Sequence, residues 1–192
     1  MSLLEEVLEF NHHFVESKQY EDYYASKYPR KRVAIVACMD TRLVELLPKA
    51  LNMKNGDAVL IKVAGGQVVD SFDSVLKSLL VSIYELHVEE IMIIGHHNCG
   101  AQHLSPDSIM AEIAVECGGI DPTDQRLKAM LTGFGDLEKS VQESVVLVKN
   151  HPFIPERITV HGLLMDPETG KLEVVETGNQ VKQLHKEAAA VY

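Results

Sequence analysis

At 192 residues with 46% hydrophobic content, the chain is long enough to bury one sizeable core. With 28 acidic against 18 basic residues and a formal charge of −10, it lacks the basic face that a general nucleic-acid or anionic-membrane binder needs. No apolar run approaches the ~20 residues of a spanning helix, and the opening Met1-Ser2-Leu3-Leu4-Glu5-Glu6 lacks the basic and apolar regions of an export signal, so a cytoplasmic protein with no membrane or nucleic-acid partner is expected.

From Leu3 to Val15, apolar residues at Leu3, Leu4, Val7, Leu8, Phe14 and Val15 form one stripe of an amphipathic helix, with Glu5, Glu6 and Glu9 opposite. His12 and His13 read as solvated helix residues. A polar, aromatic link from Glu16 to Arg32 leads to Val33-Ala34-Ile35-Val36-Ala37, a short β-branched run that stops at Cys38-Met39-Asp40-Thr41-Arg42. Such runs read as strands of a parallel sheet, buried on both faces. A helix is predicted from about Leu43 to Leu51, followed by the Asn55-Gly56-Asp57 turn and a strand from Ala58 to Val63. Beyond Ala64-Gly65-Gly66, Asp70 or Ser71 is the expected N-cap of a helix with Phe72, Val75, Leu76, Leu79, Leu80 and Ile83 as its buried stripe.

The strand Ile91 to Ile94 then runs into Gly95-His96-His97-Asn98-Cys99-Gly100. Repeated β-α-β steps imply a parallel sheet with right-handed crossovers. The predicted fold is therefore α/β, a central and mainly parallel sheet flanked by helices. Leu104 to Cys117 reads as a helix broken at Gly118-Gly119-Ile120-Asp121-Pro122, and Asp136 to Lys149 as another, stopped before His151-Pro152. Residues 118 to 135 carry the weakest pattern. Arg157 to Met165 and Leu172 to Glu176 alternate around Asp166-Pro167-Glu168-Thr169-Gly170 and form a C-terminal strand pair, with a short helical tail from Asn179. The whole chain, 1–192, reads as a single domain: a helical arm over 1–30, an α/β core over 31–177 and a tail over 178–192. Gly65-Gly66 is too short to be a phosphate loop.

The chemistry begins where two strands end. Cys38, His96 and Cys99 supply two thiolates and one imidazole, a set that suits zinc in tetrahedral geometry. His96 and Cys99 lie three residues apart in a Gly-bounded turn, close enough to share an ion, whereas Cys38 must arrive through the fold. Three protein ligands leave one position over, as catalytic zinc sites do, and Asp40 stands nearest to it in sequence. Read without that context, Asp40-Thr41-Arg42 is a helix N-cap with a surface partner. An odd number of cysteines, two of them at ligand positions, argues against a secreted disulfide framework, and the lack of Cys-x-x-Cys against thiol redox chemistry. Cys117 is expected to be a small buried hydrophobe near a helix end.

Cys38-x-Asp40-x-Arg42 at the end of the first strand and His96-x-x-Cys99-Gly100 at the end of the third resemble the β-class carbonic anhydrases. The resemblance extends through Ala64-Gly65-Gly66, the Ser74 to Leu80 helix and the hairpin from His161-Gly162 to Thr169-Gly170-Lys171-Leu172, most of residues 30 to 177. It implies one zinc per chain, held by Cys38, His96 and Cys99, and reversible hydration of carbon dioxide to bicarbonate and a proton by zinc-bound hydroxide. It also implies a strand order with the first strand between the second and third, where ligands bind at the switch point. Asp40 has two roles in the family, fourth zinc ligand in a resting state or acceptor of a hydrogen bond from the nucleophile, with Arg42 holding its carboxylate in a bidentate pair.

The N-terminal helix either covers its own core or, as the resemblance implies, lies across a second subunit of a homodimer, with a dimer of dimers as a larger assembly. Two thiolates cancel the formal charge of the ion, so activity is expected to rise through mildly alkaline pH. His97 and His103 are proton-shuttle candidates, since an unperturbed imidazole titrates near pH ~6.5; each also reads as a support or a solvent-facing residue. His87, His151 and His161 read as packing or loop residues. Gly65 and Gly66 are substrate-pocket candidates through close backbone approach, and read equally as a turn. The sequence departs from the family at Lys62-Val63, where many members have Arg-Asn and where Val63 cannot hydrogen-bond. The absence of tryptophan excludes a tryptophan-based anion pocket. Rival readings are hydrolysis of a related heterocumulene such as carbon disulfide, and a non-catalytic zinc and bicarbonate-binding protein in which Asp40 permanently closes the site.

Overall fold

All six residues of β1 (Val33–Cys38) are buried, and the sheet is built outward from it. The computed structural model describes residues 1–118, 121 and 123–178. Its five strands run in the order β2-β1-β3-β4-β5, with β2 Ala58–Val63, β3 Glu90–His96, β4 Thr159–Met165 and β5 Leu172–Glu176. β1 pairs in parallel with β2 on one side and β3 on the other, and β4 is parallel to β3. Only the last pair, β4 and β5, is antiparallel. The expected α/β architecture, the C-terminal strand pair and the place of the first strand between the second and third are all observed.

Alternate residues of β1 feed different layers, as the period of a strand requires. Ala34 and Val36 join a core with α3 (Ser74–Tyr84) and α6 (Leu137–Lys149), through Leu76, Leu79, Ile83, Val141, Val145 and Val148. Val33, Ile35 and Ala37 face the other way, against Leu43 and Leu47 of α2 (Leu43–Ala50). Covered on both faces, β1 can be continuously apolar, and its C-terminal end is delivered dry to the site.

Three local expectations are corrected. The N-cap of α3 is Asp73, which accepts from the Leu76 N–H at 2.7 Å, rather than Asp70 or Ser71. Asp70 instead accepts from the Phe72 N–H at 2.8 Å in a turn that precedes the helix. Phe72 thus lies outside the helical periodicity and is 84% exposed rather than part of the buried stripe. Cys117 is exposed. It ends α4 (Pro106–Cys117), a helix that buries only Met110 and packs chiefly against α5 (Gln125–Leu131) rather than the sheet. The weakly patterned 118–135 segment thus holds a short helix, while the predicted tail from Asn179 lies outside the described residues.

The N-terminal helix α1 (Leu3–Glu16) opens with a Ser2/Glu5 capping box and buries none of its residues. Leu3, Leu4, Val7 and Leu8 are all exposed, so α1 does not cover its own core. Among the described residues no helix is long and apolar enough to cross a membrane.

Gly95 couples the core to the site, because a Cβ there would stand 2.7 Å from Val141 Cγ2 and 3.0 Å from Leu137 Cδ1. α6 can approach β3 only because that position is bare. Gly95→Ala is expected to push α6 off the strand just before His96 and to destabilise the fold by about 1–3 kcal/mol, measured by urea unfolding of the metal-free protein; an unchanged midpoint would mean that α6 is free to shift.

Candidate metal centre

Because β1 and β3 are neighbours in parallel register, with Ala37 opposite Ile94, Cys38 and His96 leave the sheet side by side. The turn after His96 then brings back Cys99. The Cys38 and Cys99 sulfurs are 3.7 Å apart. The Sγ atoms of Cys38 and Cys99 and a ring nitrogen of His96 all lie within 4.8 Å of one another, and all three residues are buried.

The imidazole is oriented as a ligand. His96 Nδ1 lies 2.9 Å from the His97 carbonyl oxygen, which can only accept, so Nδ1 carries the proton and Nε2 presents a lone pair. That Nε2 is fully buried and has no hydrogen-bond partner among the described residues. An orphaned buried acceptor facing two sulfurs, with softness and spacing suited to zinc, fits a metal ion. The residues present therefore pass the test that zinc would set.

The thiols are electrostatically unequal in the metal-free protein. Burial raises Cys38, but His96 and the N–H groups of Asp40 and Gly65 favour its thiolate and bring it down to about 7. Burial, opposed by the Ala101 N–H, together with the adjacent Cys38 thiolate pushes Cys99 up to about 11. His96 is raised: burial disfavours its charged form, but Cys38, the His97 carbonyl and Asp40 outweigh that. Lys62 is lowered, mainly by burial, against the pull of Cys38 and Asp40.

Asp40 lies beside the trio, with Oδ2 3.8 Å from His96 Nε2. Its carboxylate accepts from Arg42 three times, from the backbone N–H at 2.9 Å, Nε at 3.0 Å and Nη2 at 2.8 Å. The guanidinium beside it holds Asp40 down at about 2. Arg42 Nη2 also donates to the Asn98 carbonyl at 3.0 Å. Asn98, which sequence reasoning did not single out, has left-handed backbone with φ +54°. Its signal was present: asparagine is enriched in that conformation, and it stands inside the four-residue turn between two ligands.

Gly65 and Gly66 prove to be both a turn and a close approach. Their φ values are +74° and +67°, and a Cβ on Gly66 would stand 2.6 Å from the Cys38 nitrogen. Phe134 and Ala101 pack over Gly65. Val63 pairs with Cys38 in the sheet, and its carbonyl accepts from the Met39 N–H at 2.9 Å. His97 and His103 are exposed and stand outside the trio. The His97 backbone N–H donates to the Met165 carbonyl at 3.0 Å, which ties the turn after His96 to the end of β4. His151 is a packing residue as expected, buried between Phe72 and Phe153.

The sequence profile described as carbonic anhydrase matches residues 33–172. Two Bacillus subtilis proteins provisionally named as carbonic anhydrases, YvdA and YtiB, are 47% and 45% identical, over 96% and 93% of this chain and 97% and 98% of their own. Carbon disulfide hydrolase from Acidithiobacillus thiooxidans is 30% identical over 74% of this chain and 76% of its own. Among solved structures, β-carbonic anhydrase isoform I from Trichomonas vaginalis superposes with a TM-score of 0.84 at 38% identity, covering 93% of this chain and 100% of that one.

Zinc requires both thiolates, whereas Cys99 keeps its proton near neutrality and Cys38 keeps it below about pH 7. Zinc uptake by the metal-free protein is thus expected to release about one proton per ion at pH about 8.5 and at least about two at pH about 6.5, with affinity falling as pH drops. Calorimetry in buffers of different ionisation enthalpy counts the protons. A release independent of pH would remove Cys38 from the ligand set.

Proposed function

This chain belongs to the β-class carbonic anhydrase family, and we propose that it interconverts carbon dioxide and bicarbonate with one zinc ion per chain. The observation that carries the reading is the unpartnered, fully buried His96 Nε2 facing two sulfurs, with Asp40 held beside the trio and not in it. Cys38, His96 and Cys99 would hold the ion, which when bound supplies Lewis acidity and brings the pKa of a coordinated water from ~15.7 toward ~7.

The protein's own part is positioning and charge. Three hydrogen bonds from Arg42 keep the Asp40 carboxylate anionic and turned to the guanidinium. From there Asp40 Oδ2 would accept a hydrogen bond from the reacting water and orient its lone pair toward carbon dioxide, while the carboxylate stays off the trio that would hold the ion. Two thiolates neutralise the charge of the ion, which favours reaction at mildly alkaline pH. Gly66 lets the chain pack directly on the Cys38 backbone and so fixes where that donor stands. His97 and His103, both exposed, are available to pass the product proton to buffer. Free thiols at the centre of the site suit a reducing compartment such as the cytoplasm. The exposed apolar stripe of α1 supports its role as an arm across a second copy in a homodimer.

Stopped-flow hydration of carbon dioxide by protein of determined zinc content tests the reaction. Turnover is expected to rise between pH about 7 and about 8.5. Arg42→Ala is expected to lose about tenfold or more in kcat with zinc still near one per chain, since Asp40 is then free to close on the metal. No turnover with full zinc at either pH would sink the reading, and consumption of carbon disulfide in its place would move the chain's reaction to that of the Acidithiobacillus relative. Sedimentation velocity tests the arm: the full chain should run as a dimer, and a chain lacking residues 1–17 should dissociate at lower dilution. A monomer throughout contradicts the assembly.

A further inference from the structure

The bonds between Asp40 and Arg42 fix those two side chains relative to each other but not relative to the three donors. Both groups hang from the end of β1; the Asp40 side chain is 17% exposed but Arg42 is 45% exposed, so burial holds the arginine end of the pair only weakly. Exposed ion pairs are loosely held because ordering two long side chains costs entropy. Among the described residues, the hydrogen bond that ties the guanidinium to the other strand end is the one from Arg42 Nη2 to the Asn98 carbonyl, at 3.0 Å. That carbonyl belongs to the turn that carries His96 and Cys99.

The aim of the carbonyl depends on the backbone of Asn98. With φ at +54° the residue occupies the left-handed region, where a Cβ crowds the following carbonyl and where glycine and asparagine are the residues most at ease. The Asn98 side chain is exposed, and the contact with Arg42 is made by its main chain. The residue type therefore matters through the conformation it permits.

We infer that Asn98 is a positioning residue: its left-handed backbone aims its carbonyl at Arg42, and that bond holds the Arg42–Asp40 pair away from the fourth coordination position. This rests on the reading of the trio as a zinc site with one exchangeable position. Asp40 has little distance to travel, since its Oδ2 is already 3.8 Å from His96 Nε2. A latch of one carbonyl thus separates a site that admits a small ligand from one that its own carboxylate fills. The four-residue turn has two jobs, presenting two donors and restraining the group that competes for the ion.

Cobalt(II)-substituted protein titrated with thiocyanate at pH about 7, followed by visible absorption and normalised to bound cobalt, tests the latch. Asn98→Gly and Asn98→Ala delete the same amide but differ in how readily they accept left-handed backbone. Asn98→Gly should keep the wild-type thiocyanate affinity. Asn98→Ala should bind the anion about fivefold more weakly, because part of the population has Asp40 on the metal. An equal shift in both variants would overturn the inference by assigning the effect to the side chain. Unchanged thiocyanate affinity in Asn98→Ala, with or without loss of cobalt, would also overturn it and leave Asn98 as a turn former alone. Wild-type protein with one cobalt per chain and no response to thiocyanate would overturn the open-site reading itself, and the latch with it.

Discussion

His96 Nε2 is a hydrogen-bond acceptor shut away from water with no hydrogen-bond partner in place among the described residues. Leaving such a group unsatisfied costs about 1–3 kcal/mol, and the ring cannot escape by changing tautomer, because its other nitrogen is bound to the His97 carbonyl. Burial raises both thiols, but His96 and the N–H groups of Asp40 and Gly65 bring Cys38 down to about 7, and burial with that adjacent charge pushes Cys99 up to about 11. The trio is poorly satisfied as a set of protein groups and well matched as a set of metal donors. The energy for this comes from the surrounding core, which is why the donors sit at the ends of the most buried strands.

Donor placement and core packing are consequently one problem. β1 carries Cys38 to the site only because α2 covers one of its faces and α3 and α6 the other. Two glycines let those layers close. Gly95 admits α6 against β3 immediately before His96, and Gly66 admits the chain leaving β2 against the backbone of Cys38. A side chain at either position would spread the strands whose ends have to converge. The departure at Val63 is compatible with this arrangement, because the position contributes sheet pairing with Cys38 and a carbonyl for Met39, which any residue supplies.

Outside the trio the control of the site is electrostatic. Among the described residues Asp40 is the carboxylate that stands beside His96, its Oδ2 3.8 Å from Nε2, and it lies outside the trio of donors. Arg42 competes for it with three hydrogen bonds, and the carbonyl of Asn98 anchors Arg42 in turn. Each link in this chain is a modest interaction near the surface. Together they hold the Asp40 carboxylate beside the trio and not in it.

The sequence by itself determined the parallel α/β sheet, since unbroken β-branched runs such as Val33 to Ala37 fit only strands covered on both faces. It also marked the candidate donors, Cys38 and His96 where two apolar runs stop and Cys99 in the turn after His96, and the structure brings these three together. Local signals misled where local and tertiary constraints diverge. Asp70 or Ser71 is the expected cap, but Asp70 is taken up by a turn to the Phe72 N–H, so Asp73 caps α3 and Phe72 is left in solvent. Cys117 has the composition of a core residue, but its helix packs on another helix and leaves it exposed. The place of β1 between β2 and β3 followed from the family resemblance and not from periodicity, and only the tertiary structure decided that α1 buries nothing of its own and that Asn98 reaches Arg42 across 56 residues of chain. Periodicity reports which face of an element is apolar, whereas contacts between distant segments are set by how the layers pack, and that information is not carried by any one stretch of residues.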